Sequence, residues 1–165
     1  MKPPAGTPES WVLLSYRVPR EPSSPRIAIW RKLKRLGVAQ ISDGLVALPA
    51  DARTREALEW IAAEVVEAGG VATVWLGRPA ADAAQEALVA SMVAARADEY
   101  RAVLAEAEAA AGLEGPARTA ALRRLRGELN RVARRDFFPP PERDAARAVV
   151  EALADENPAR ARSTR

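Results

Sequence analysis

Val38-Ala39-Gln40-Ile41-Ser42-Asp43-Gly44-Leu45-Val46-Ala47-Leu48 is the stretch on which the fold turns. Two short apolar segments, Val38 to Ile41 and Leu45 to Leu48, flank Ser-Asp-Gly, and that spacing and turn chemistry predict a β-hairpin. On its C-terminal side Pro49 closes the second strand, and Asp51 is placed to cap a helix whose apolar stripe is Leu58, Ile61, Ala62 and Val65. Gly69 and Gly70 end that helix, and Val71 to Leu76 supplies a further strand. On the N-terminal side, Ser24 followed by Pro25 reads as an N-cap with proline at the first helical position. The helix predicted over 25–36 has Ile29, Leu33 and Leu36 as its stripe, with Gly37 as C-cap. Farther out, Trp11 to Val18 alternates as a strand does, and Pro19 stops it. The order is strand, helix, strand, strand, helix, strand. It predicts an α+β class, ferredoxin-like βαββαβ sheet. Right-handed crossovers then put both helices on one face and leave Trp11, Leu13 and Trp75 on the other, which the rest of the chain, a second copy or a ligand should cover.

Beyond residue 80 the sequence is helical. No proline or glycine occurs from Ala81 to Ala111, and Val89, Val93, Tyr100, Val103 and Ala107 mark one stripe. Gly112, Gly115 and Pro116 interrupt it. A second helix over 117–135 carries Leu122, Leu125, Leu129 and Val132 at steps of three and four, a seam for another helix. Pro139-Pro140-Pro141 forms a stiff bend before a last helix over 142–154. The expected layout is a flexible N-terminus at 1–10, a ferredoxin-like domain at 11–80, a C-terminal helical extension of about three helices at 81–155 packed on it, and a disordered tail at 156–165.

Composition excludes much chemistry. The 165 residues, 17.8 kDa, contain neither cysteine nor histidine, so thiolate and imidazole catalysis, zinc fingers and haem ligation by those residues are ruled out. A carboxylate-only Mg²⁺ site is still chemically allowed. Nuclease-like members of this fold place an acid at the end of the first strand, whereas this strand ends Ser15-Tyr16-Arg17. The expectation is therefore no enzyme, no cofactor and no metal. With no apolar run of membrane-spanning length and no signal core in the first ten residues, a cytoplasmic protein without membrane partners is expected.

The net charge of +3 hides separate blocks. Only Lys2, Lys32 and Lys34 are lysines; the other cations are arginines, which favour planar, bidentate partners such as phosphate. Between Arg17 and Arg35 seven basic residues face the single acid Glu21. Arg31, Lys34 and Arg35 share a helix face opposite the apolar stripe, with no acidic neighbour evident in sequence, and are read as facing a polyanion. The helix at 117–135 holds Arg118, Arg123, Arg124, Arg126, Arg131, Arg134 and Arg135 against Glu128 alone. The helix before it is acidic. Either that basic helix pairs antiparallel with its acidic neighbour, or it joins a nucleic-acid surface. The candidate nucleic-acid-binding residues are Arg31, Lys32, Lys34 and Arg35, then Arg123, Arg124, Arg131, Arg134 and Arg135. An oxyanion is also permitted at the helix N-terminus near Ser24 to Ile27.

Trp30-Arg31-Lys32-Leu33-Lys34-Arg35-Leu36-Gly37, the hairpin ending Gly44-Leu45-Val46-Ala47-Leu48-Pro49, the pair Gly69-Gly70 and Arg135-Asp136-Phe137-Phe138 together resemble the N-terminal domain of the chromate-resistance regulator family ChrB. The resemblance extends over about residues 10 to 155. It implies a DNA-binding transcriptional regulator of an operon for chromate efflux. It also implies a following sensor-like domain; since the sequence stops at Arg165, a stand-alone domain working with a separately encoded sensor is expected. The alternative is a non-catalytic adaptor or oxyanion-binding module acting through a partner protein. A homodimer through the open sheet face is a further expectation. Of the family motif, Trp30 is read as core, Gly37 as a cap, Phe137 and Phe138 as plugs between helices, and Asp136 as a turn cap or an arginine partner.

Overall fold

The computed structural model describes residues 6–155. Residues 1–5 of the expected flexible N-terminus and the expected tail at 156–165 lie outside the described residues. The elements in chain order are β1 (Trp11–Arg17), α1 (Ser23–Leu36), β2 (Ala39–Ser42), β3 (Leu45–Pro49), α2 (Ala52–Glu67), β4 (Val71–Gly77), α3 (Asp82–Ala109), α4 (Gly115–Ala133) and α5 (Glu142–Asp155). Two compact units divide between Met92 and Val93, inside α3. None of the described helices is long and apolar enough to cross a membrane.

The first unit contains the sheet, ordered β2-β3-β1-β4 with every neighbouring pair antiparallel, as βαββαβ requires. β1 is central: Val12 pairs with Leu48 of β3 and Leu76 of β4. Period-two alternation sends Val12, Leu14, Val46 and Leu48 to one face. All four are fully buried, as are Leu33, Leu58 and Val65 from α1 and α2. Burying a side chain of this size is worth about 1.5–3 kcal/mol, so this layer accounts for much of the unit's stability. On the opposite face Trp11 and Ala47 are also fully buried. The opening turns of α3 lie there: Ala84, Ala87, Leu88 and Ser91 line a groove of about 710 Å³ together with Trp11 and Trp75. Gln85 is buried and donates to the Pro8 carbonyl at 3.2 Å, which ties down the strand's approach.

Local chemistry sets the joints. Asp51 caps α2 through a reciprocal box: the Thr54 N–H donates to Asp51 Oδ1 at 2.7 Å and the Asp51 N–H donates to Thr54 Oγ1 at 3.0 Å. Those donors hold the Asp51 carboxyl below the usual carboxylate range. In the hairpin only Gly44 takes positive φ, +74°, and the register shifts between Gln40 and Ser42 as a β-bulge. A side chain at Gly70 would put Cβ 2.4 Å from the Arg17 carbonyl oxygen, so the end of α2 passes β1 only because this residue has none.

The helix starts differ from the sequence expectation. α1 begins at Ser23, not Pro25; Pro22 occupies the N-cap position and no side chain caps it, so Ser24 is not the cap. The first four N–H groups of a helix have no intrahelical partner, so a proline in the third position loses no bond and does not fix the start. α4 likewise begins at Gly115 with Pro116 in its first turn and ends at Ala133, leaving Arg134 and Arg135 past the last helical residue.

The second unit has its own core. Tyr100, Val103, Ala107 and Ala110 of α3 and its end meet Leu122, Leu125 and Val132 of α4 and Ala146, Val150 and Leu153 of α5. The seam foreseen for α4 is there, with Leu129 only partly buried.

Candidate nucleic-acid interface

On α1, Ile29 and Leu33 are buried, and one turn of 3.6 residues then directs Arg31, Lys34 and Arg35 outward, where all three are exposed. Gly37 ends the helix at φ +77°, its N–H turned back to the Leu33 and Lys34 carbonyls, as expected of a glycine C-cap. Lys34 and Arg35 occupy the last turn, where the negative end of the helix dipole favours cations. None of Arg31, Lys34 and Arg35 has an acidic partner among the described residues. Lys34 Nζ instead lies 5.0 Å from the Trp30 ring centroid, a cation–π arrangement.

Lys32 differs. Its ammonium donates to both carboxylate oxygens of Glu64 on α2, at 2.6 and 2.5 Å. An acidic neighbour of α1 therefore exists, contrary to the sequence reading; it comes from 32 residues along the chain and is brought near because α1 and α2 share one sheet face. Both side chains are more than a third exposed, so the pair adds little stability, but it takes Lys32 out of the free charge of the helix.

Trp30 also departs from expectation. It is half-buried, not core, and borders a groove of about 370 Å³ with Tyr16, Arg26, Ile27 and Asp43. Burial, and next the Asp43 charge, push the Tyr16 hydroxyl above its ordinary pKa and keep it a neutral donor and acceptor. Arg26 and this aromatic pair are features that sequence reasoning left out. The signal was available: Trp30 is followed four residues on by Lys34, the spacing of neighbours on a helix surface.

The arginines of α4 are mostly engaged. Arg124 pairs with Glu106 at 3.2 Å, and Arg135 donates to Glu99 from Nη2 at 2.8 Å and Nε at 3.0 Å. Partner numbers that fall on α3 as they rise on α4 mean the two segments run antiparallel, so this helix does pair with its acidic neighbour. Arg131 is held by Glu128 of its own helix, Nε to Oε2 at 2.9 Å. Arg118 is buried. Its guanidinium donates to the Leu153 carbonyl from Nε at 3.1 Å and Nη2 at 2.9 Å, and from Nη1 to the Ala111 and Leu113 carbonyls at 3.3 Å each. It satisfies carbonyls that the ends of α3 and α5 leave over. Arg123, Arg126 and Arg134 are exposed and have no acidic partner among the described residues. Arg123 and Arg126 flank a cleft of about 480 Å³ with Thr119 and Asn130.

The Arg135-Asp136-Phe137-Phe138 motif forms a clasp within the second unit. Glu99 accepts from Arg96 on one oxygen, at 3.0 Å, and from Arg135 on the other. The Tyr100 hydroxyl donates to Asp136 Oδ2 at 2.8 Å, so the hydrogen-bond partner of Asp136 is a phenol, not the arginine or turn foreseen. Burial and that bond raise the Tyr100 pKa. Burial lowers that of Arg96, against the opposing effect of Glu99. Phe137 and Phe138 are half-buried beside it. Among the described residues no three acidic side chains gather as metal ligands would.

A family model described as Protein ChrB, N-terminal, matches residues 26–112, just over half of the 165 residues. The chain belongs to the ChrB N-terminal family. Protein ChrB of Cupriavidus metallidurans is 30% identical to it over 154 residues, which covers 90% of this chain and 46% of that protein. The chain thus spans about half the length of this curated ChrB. No solved structure matches it. The ChrB N-terminal match takes in the basic face of α1 and leaves α4 and the Arg135–Phe138 clasp outside it.

Proposed function

We propose that this ChrB-type chain is a DNA-binding regulatory module of chromate resistance that grips duplex phosphates with Arg31, Lys34 and Arg35 of α1. The observation that carries the reading is the absence, among the described residues, of any acid opposite these three exposed cations, on a helix whose fourth, Lys32, is shared with Glu64. Counterion release drives such binding, and each phosphate contact contributes about 0.9 to the slope of log affinity against log salt. Arg123, Arg126 and Arg134 are exposed and without an acidic partner among the described residues, and are open to separate anionic contacts. Arg118, Arg124, Arg131 and Arg135 are occupied by the fold itself and stand outside the interface.

Fluorescence anisotropy of labelled duplex from the chain's own promoter, titrated across salt, tests this. Binding should weaken steeply with salt, and Arg31→Ala should reduce the slope by about one unit. Affinity no greater than that of a charge-matched control protein at low salt would falsify the proposal.

A further inference from the structure

The two edges of the sheet are built differently. β2 forms one edge with four residues and a bulge between Gln40 and Ser42, both of which discourage another strand from adding. β4 forms the other edge with seven residues, Val71-Ala72-Thr73-Val74-Trp75-Leu76-Gly77, paired to β1 without a register shift. It has no proline, no lysine and no charge of either sign. Its outer N–H and C=O groups form a flat template, the arrangement that proteins ordinarily block. Val71, Trp75 and Leu76 are each more than half exposed. Successive strand residues point to opposite faces, so Trp75, opposite Leu13, and Leu76, opposite Val12, make this edge apolar on both sides of the sheet.

We infer that the β4 edge is where a second copy of this chain adds, β4 against β4 antiparallel, joining two four-stranded sheets into one. The strand is self-complementary. The register that pairs all seven residues sets Val74 opposite Val74 of the second copy, Thr73 opposite Trp75 and Ala72 opposite Leu76, with no like charges facing. The two Trp75 residues become diagonal neighbours about 7–8 Å apart on the groove side, each ring lying over its own β1, where its Nε1–H donates to Ser15 Oγ at 3.1 Å. On the opposite face Leu76 meets Ala72 of the second copy. The two α1 helices become related by a two-fold axis, which for a DNA-binding chain favours a palindromic site.

Mass measured without DNA tests this independently of the proposed function. Light scattering on the eluting chain should give twice 17.8 kDa. Thr73→Lys, at an exposed position, places like charges diagonally across the axis and should return the mass to that of a single chain. Because the chain has no cysteine, Val74→Cys gives one thiol, facing itself at about 4.5–5.5 Å between Cα atoms, inside the range of about 4.4–6.8 Å that a disulfide spans. It should cross-link under mild oxidation, whereas Trp60→Cys on α2 should not. A single-chain mass for the unaltered protein at every concentration loaded overturns the inference. So does a dimer that survives Thr73→Lys, or equal cross-linking at positions 74 and 60.

Discussion

α1 carries its cations in the open, whereas α4 spends most of its cations inside the molecule. Arg31, Lys34 and Arg35 meet no acid among the described residues; Arg124, Arg131 and Arg135 each hold a carboxylate, and Arg118 is buried against three carbonyls. Counted in sequence, the stretch 117–135 is the more basic, with seven arginines against the five cations of α1. Counted as exposed charge without an acidic partner among the described residues, α1 has Arg26, Arg31, Lys34 and Arg35 and the stretch 117–135 has Arg123, Arg126 and Arg134, and three of the α1 cations stand within five residues. The difference teaches that arginine density reports an interface only after the carboxylates the fold brings near are subtracted.

The largest test of that contrast removes the α1 face. Replacing Arg31, Lys34 and Arg35 together with alanine should lower duplex affinity near 0.1 M salt by about tenfold per residue, from the counterion each contact releases. Arg124→Ala with Arg131→Ala should change it less than about twofold, because those charges are already neutralised. Equal losses in anisotropy titrations would erase the distinction between the helices.

Arg118→Leu comes next. It strips the hydrogen-bond donors from the Leu153, Ala111 and Leu113 carbonyls, and urea unfolding should show a loss of about 3 kcal/mol, with the salt slope of DNA binding unchanged. A changed slope would put Arg118 in the interface. Glu99→Gln should cost about 2 kcal/mol, because it leaves the largely buried Arg96 and its neighbour Arg135 without their shared counter-charge. A loss under half that size would mean the clasp is no stronger than a surface pair.

Asp51→Ala is the smallest and touches neither basic helix. Losing the cap should cost about 1 kcal/mol at neutral pH. The Asp51 carboxyl titrates lower in the folded chain than in the unfolded one, so its contribution is complete above the unfolded value, about 3.9, and fades as pH falls through the folded value. The stability gap between variant and parent should therefore stay constant from pH 5 to 8, in round terms about the neutral range, and close in acid. It also supplies a control for the larger tests: a destabilised chain whose salt slope is intact.

What the sequence made legible was local. The Asp43-Gly44 turn, the Asp51 cap and the Gly37 stop are each decided by a few adjacent residues, and with the strand and helix periodicities they were enough to give βαββαβ. The errors share another origin. Lys32 meets Glu64 and Asp136 meets Tyr100 across 32 and 36 residues respectively. No local pattern encodes such meetings. Trp30 was misplaced because an aromatic residue near an apolar stripe suits core and groove wall equally; only the sheet's position beside it, with Tyr16, decides. The start of α1 was misjudged because its first turn tolerates proline at more than one position.

The central place of β1 has a consequence for how the chain is made. Val12 leaves the ribosome before its partners Leu48 and Leu76, which lie on strands synthesised later. Contacts so far apart in sequence close slowly. Trp11, Val12 and Leu14, which end fully buried, therefore stay bare apolar surface until β3 and β4 emerge, a stretch that a nascent-chain chaperone would meet.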